Sequence, residues 1–72
     1  MVSRRMVEST IVEMLSKSGA QDYPSILGFV KDRFDDITEE ELSKALMILE
    51  IHGVLRVYNA SKDKQRVELT RR

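Results

Sequence analysis

Residues 38 to 58, TEEELSKALMILEIHGVLRVY, constrain this chain more than any other stretch: a capped helix stops at a glycine and runs directly into a strand. Thr38 with Glu41 three residues later forms a capping box. The hydroxyl oxygen accepts from one orphan amide and the carboxylate accepts from another. Leu42, Ala45, Leu46 and Leu49 recur at i, i+3, i+4 and i+7, which puts them on one face of that helix. Gly53 supplies the left-handed geometry that terminates a helix. Val54 to Tyr58 is β-branched and alternating, which favours an extended backbone.

The remainder of the chain has two more helical patterns and one more strand. A first helix is predicted over about Ser3 to Ser18, with Val7, Ile11, Met14 and Leu15 as its apolar stripe and Gly19 as its stop. Val12 lies off that stripe. A second helix opens at Pro24, whose fixed φ suits the first helical position, with Asp22 or Tyr23 just outside. Ile26, Leu27, Val30 and Phe34 form its apolar face. Gly28 weakens it by roughly 1 kcal/mol relative to alanine and, lacking a side chain, would let a neighbouring helix approach closely. Asp35-Asp36 makes a polar turn before Thr38. After the third helix, Val54–Tyr58 and about Gln65–Thr70 alternate as strands, with Val67 and Leu69 on one side of the second. Asn59 to Lys64 between them is rich in turn-forming residues. The expected architecture is α+β: three helices followed by a two-stranded hairpin that leans on them, since an isolated hairpin is marginal in water.

At 72 residues the whole chain, 1–72, is read as a single domain, close to the size at which one core becomes marginal. The longest apolar run, Ala45 to Leu49, is far short of the roughly 20 residues that cross a bilayer. Glu8 and Glu13 interrupt the segment behind the basic N-terminus, so it lacks the pattern of a signal peptide. Without cysteine there are no disulfides and no thiolate metal sites. The cytoplasm is the expected compartment, with no membrane partner. The formal charge is zero but unevenly spread: residues 1–19 carry +1, residues 20–53 carry −5 and residues 54–72 carry +4. Such asymmetry either marks an interaction surface or is the ordinary solvated exterior of a charged domain.

Helix, helix, helix, strand, loop, strand, with LSKALMILEIHGVLRVY passing from the third helix into a hairpin, resembles the winged-helix branch of helix-turn-helix domains. Ala45, Leu46, Leu49, Gly53, Val54 and Leu55 carry the resemblance, which spans nearly the whole chain. In such domains the third helix usually enters the DNA major groove, and the hairpin, or wing, lies along the backbone or minor groove. Many of the compact versions are bacterial or archaeal transcription regulators. The same scaffold also docks proteins in larger complexes.

The resemblance implies that the third-helix side opposite Leu42–Leu49, with Glu40, Ser43, Lys44, Met47 and Ile51, would face double-stranded DNA. Lys44 suits a phosphate or a guanine edge and Ser43 can donate to phosphate. Against this, the helix has no arginine, and Glu39, Glu40 and Glu41 crowd its start. Those glutamates are equally explained by the positive end of the helix dipole. Arg56, Lys62, Lys64 and Arg66 on the wing, with Arg71 and Arg72, would neutralise phosphates in a salt-sensitive, largely sequence-independent way. Arg4 and Arg5 would add to them if the N-terminus lies near. Edge lysines and arginines that block strand aggregation are the competing account. Val12, Met47, Ile48 and Ile51 lie outside or at the margin of the core stripes. They either fill gaps between helices or form an apolar partner interface, with a homodimer plausible because small winged-helix proteins commonly dimerise. Tyr58 shares a strand face with Arg56, which would put an aromatic ring beside a guanidinium near a nucleic-acid backbone; the simpler account has its ring packed on the sheet and its hydroxyl in water.

Nothing in the sequence points to catalysis. His52 is the sole histidine, and one imidazole makes no zinc site without further ligands. Asp35 and Asp36 are adjacent on a turn, so their side chains diverge from one another. The three glycines are too far apart for a phosphate-cradling loop, and no nucleophile–base set can be assembled. No enzyme activity, cofactor, metal or small-molecule substrate is expected. Two functions remain: a DNA-binding regulator or chromatin-associated factor, and a protein-interaction module that works as a homodimer or a subunit.

Overall fold

The computed structural model describes residues 3–61 and 64–70, apart from the side chains of Ala60, Ser61 and Lys64. Three helices and a three-stranded antiparallel sheet form a small α+β fold. In chain order these are α1 (Arg4–Ser18), β1 (Gln21–Asp22), α2 (Tyr23–Arg33), α3 (Glu39–Ile51), β2 (Leu55–Ser61) and β3 (Lys64–Leu69).

The ends of the helices follow from their sequences. Gly19, at φ 80°, closes α1 and donates its amide to Leu15. The Asp22 carboxylate accepts from the Ser25 amide at 3.1 Å and caps α2, in which Tyr23 is the first helical residue and Pro24 the second. At α3 the capping box is complete. Glu41 N–H donates to Thr38 Oγ1 at 3.1 Å, and Thr38 N–H donates to Glu41 Oε1 at 3.0 Å. The far end of α3 is a Schellman closure: Val54 N–H donates to Leu49 O and Gly53 N–H to Glu50 O, with Gly53 at φ 76°. That closure turns the chain out of the helix and into β2 within three residues.

The sheet corrects the expectation of a two-stranded hairpin. Its order is β1-β3-β2, and β1 pairs with β3 through Gln21↔Val67 and Asp22↔Arg66. Two residues are too few to show an alternation, so β1 left no periodic trace in the sequence. The hairpin is also longer than its turn-rich centre implied. Asn59–Ser61, read as loop, stays extended and pairs with Lys64 and Gln65, with a register irregularity between Asn59 and Ser61. A hydrogen bond from Gln65 Nε2 to Asn59 Oδ1 at 3.1 Å joins the two strands there. Cross-strand pairing overrides the local turn preference of these residues.

One apolar cluster joins all three helices and the sheet. Val7, Ile11, Leu15, Ile26, Val30, Leu42, Ala45, Leu46, Leu49, Leu55 and Val67 are buried in it, as the sequence periodicity implied. Ile37, in the turn between α2 and α3, is buried too, although no helical or strand period marked it. Thr10 takes a buried place on α1, whereas Met14, Leu27 and Phe34 are only half-buried against the cluster. The expectation for Gly28 fails. A Cβ placed there would meet nothing within 4 Å, so no neighbouring helix approaches it.

Candidate nucleic-acid interface

α3 presents its outer side to solvent because its inner side is consumed by the core. At about 100° per residue, the stripe of Leu42, Ala45, Leu46 and Leu49 leaves Glu40, Ser43, Lys44, Met47 and Ile51 together on the opposite face. Ser43 and Lys44 are exposed, Met47 is 52% exposed and Ile51 is 74% exposed. This face therefore combines the Glu40 carboxylate, a cation and a hydroxyl near the start of the helix with two large apolar side chains further along. Glu41, at the helix start, is held in the capping box, while Glu39 and Glu40 are exposed.

The partner-interface group expected from the sequence divides. Met47 and Ile51 share the exposed α3 face. Val12 is half-buried and packs against the core from α1. Ile48 is half-buried on the flank of α3 and lines a hollow shared with Ser3, Arg4, Arg5, Glu8 and His52. An adjoining hollow is lined by Arg4, Val7, Glu41 and Lys44. The start of α1 thus lies along the flank of α3. The end of α1 is elsewhere, against the sheet, where Leu15 and Ser16 line a hollow with Glu68 and Leu69.

The hairpin is less uniformly basic than its composition. In an antiparallel sheet, directly opposed residues share a face. Leu55, Val57, Val67 and Leu69 form the inward side, and Arg56, Tyr58, Arg66, Glu68 and Asp22 form the outward side. Arg56 is directly opposite Glu68, and Arg66 is opposite both Tyr58 and Asp22. Arg56 Nη1 donates to the Tyr58 hydroxyl at 3.2 Å, which donates to Glu68 Oε2 at 2.9 Å. The hydrogen bond to Tyr58 and the nearby Glu68 raise the Arg56 pKa above its ordinary value. Hydrogen bonds from Ser25, reinforced by the positive charge of Arg66, hold the Asp22 carboxyl below its ordinary range. Two arginines and two carboxylates therefore alternate across this face. Tyr58 is 42% exposed, and its hydroxyl is engaged by side chains on either side. Lys62 lies outside the described residues, as do Arg71 and Arg72. For Lys64 the backbone position in β3 is described.

The sequence pattern anticipated Ser43, Lys44, Arg56 and Arg66 as exposed residues on the third helix and the hairpin. It missed the acidic partners on the sheet face, because Asp22 arrives on a strand too short to recognise. It also missed the adjacency of Arg4 and Arg5 to α3, a consequence of helix packing that no local signal encodes. Among the described residues no group of three or more acidic or histidine side chains is arranged to hold a metal ion, and no helix is long and apolar enough to cross a membrane. No family model matches the chain, nor does any curated protein or solved structure.

Proposed function

We propose that the chain is a winged-helix DNA-binding domain, a transcription regulator or chromatin-associated factor. In this reading α3 contacts the major groove and the β2–β3 hairpin acts as the wing. The observation that carries it is the outer face of α3: Ser43 and Lys44 stand exposed on a helix whose other side is fully used by the core. Lys44 meets phosphate or a guanine edge, and Ser43 donates to phosphate. On the wing, Arg56 and Arg66 contribute from a face that also carries Asp22 and Glu68, so their attraction for phosphate is reduced. Lys62 and Lys64 complete the wing contacts. The test is fluorescence anisotropy on a random duplex at low salt. The reading predicts binding that weakens steeply as salt rises and is lost on Lys44→Ala combined with Lys62/Lys64/Arg66→Ala. Absence of binding by the unaltered protein at low salt contradicts it.

A second reading rests on a different observation, the 52% and 74% exposure of Met47 and Ile51 on that same helix. Large apolar side chains grouped on a surface favour a protein partner, here a second copy of the chain or another subunit. Light scattering distinguishes the two. Self-association abolished by Met47→Glu or Ile51→Glu, with the monomer still folded, supports an interface; a strictly monomeric protein at high concentration removes the homodimer.

A further inference from the structure

We infer that the start of α1 and the adjoining flank of α3 form a second phosphate-contacting surface, built from Arg4, Arg5, Lys44 and His52, that grips the backbone of duplex DNA beside the α3 face. It rests on the DNA-binding reading and adds to it a contact track that lies on the helices instead of the wing.

Four donor side chains from two elements converge there. Arg4 and Lys44 line one hollow, and Arg4, Arg5 and His52 line the next, with Ile48 as an apolar wall. Arg4 and Lys44 thus continue the exposed α3 face sideways onto α1. Arg4 Nε lies 3.4 Å from Glu8 Oε2, and the Arg4 side chain is 62% exposed. Glu8 is only 20% exposed and its Oε2 is buried without a hydrogen-bond partner, so Arg4 stays beside it and offers phosphate the exposed remainder of its guanidinium. Glu41, the other carboxylate beside these cations, has its Oε1 occupied by the Thr38 amide. The His52 imidazole carries a ring N–H donor in either protonation state.

The partner follows from charge complementarity. On the hairpin, Arg56 and Arg66 already face Glu68 and Asp22 across the strands. The α1–α3 flank adds Arg5, which like Arg56 and Arg66 forms no ion pair among the described residues, and Arg4, which pairs with Glu8. A second contribution comes from the backbone. α1 has no acidic residue in its first turn and Ser3 makes no side-chain cap, so the positive end of this helix is uncompensated beside the arginines. A polyanion whose charges recur along a line matches a row of cations running from α3 to the start of α1.

The test compares the unaltered protein with Arg4→Gln/Arg5→Gln, in which glutamine removes the charge and keeps a similar helix propensity. Duplex binding is measured by anisotropy across a salt series, with thermal melts as a control for folding. Each phosphate contact contributes about 0.9 to the slope of log K against log salt. The inference predicts a slope shallower by about 1.8 and weaker binding at every salt concentration. Should the double variant be less stable, Arg5→Gln alone serves, with a slope change of about 0.9. If the unaltered protein binds and the variants keep its slope, this surface is excluded while the DNA-binding reading stands. If the unaltered protein does not bind the duplex, both fall.

Discussion

Individual side chains divide into those whose loss the fold cannot absorb and those it barely registers. Ile26 and Leu42 are fully buried in the cluster that joins helices and sheet. Truncation to alanine at either position removes a buried aliphatic group and leaves a cavity, a loss of roughly 2–5 kcal/mol. A domain this small has a total stability on the order of 5 kcal/mol, so Leu42→Ala is expected to lose much of it, seen as a large drop in the denaturation midpoint. Met47→Ala, at a half-exposed site, is expected to lie within about 0.5 kcal/mol of the unaltered protein. Gly28 and Gly53 respond oppositely to substitution. Gly28 occupies an exposed helical position with open space around it, and Gly28→Ala should stabilise by about 0.5–1 kcal/mol through helix propensity. Gly53 holds φ 76° in the closure of α3, where an L side chain costs roughly 1–2 kcal/mol. Equilibrium denaturation of both variants checks the opposite signs, and a destabilising Gly28→Ala would mean that something packs over that position.

Among the elements, α3 depends most on its cap. Thr38→Ala removes the acceptor for the Glu41 amide and should cost about 1 kcal/mol, measurable as a lower denaturation midpoint with the same slope. The junction of β1 and α2 depends on Asp22, which caps the helix while facing Arg66 across the sheet. Its carboxyl titrates lower in the folded protein than its ordinary value of 3.8. The charged form therefore stabilises the fold above that value, and the contribution disappears as pH falls from there through the lower folded value. Asp22→Asn keeps a capping oxygen but no charge, so the gap in melting temperature between it and the unaltered protein should be present near neutrality and shrink in acid. A gap that is constant with pH would contradict this role.

The elements also show what a sequence of this kind reveals. α1, α2 and α3 were legible because stripes such as Leu42–Leu49 repeat over several turns and are bounded by Gly19, Asp22-Pro24, Thr38 and Gly53. The hairpin strands were legible through Val57, Val67 and Leu69. β1 was not, since Gln21 and Asp22 take their extended form only from pairing with β3. Asn59–Ser61 misled for the same reason, with turn-forming residues held straight by a partner strand. At the candidate interface the exposed positions of α3 could be read from helical period alone. The placement of Arg4 and Arg5 beside Lys44 depends on how α1 crosses α3, which only the assembled core determines.

For the whole molecule, the distribution of charge matters more than its sum of zero. Part of the acidic charge is spent on structure: Asp22 caps α2, Glu41 caps α3, and Asp22 and Glu68 sit across the sheet from Arg66 and Arg56. Cations at the start of α1 and on α3 border a common flank, next to a helix face free of core duty. In the proposed reading a duplex contacts α3, the first turn of α1 and the hairpin, and none of the proposed contacts lies on α2. Backbone amide chemical-shift mapping during titration with a short duplex at low salt tests this directly. The account predicts changes concentrated at residues 3–5, 43–47 and 56–66, with α2 from Tyr23 to Arg33 essentially unmoved. Changes centred on α2, or a spectrum indifferent to excess duplex, would contradict it.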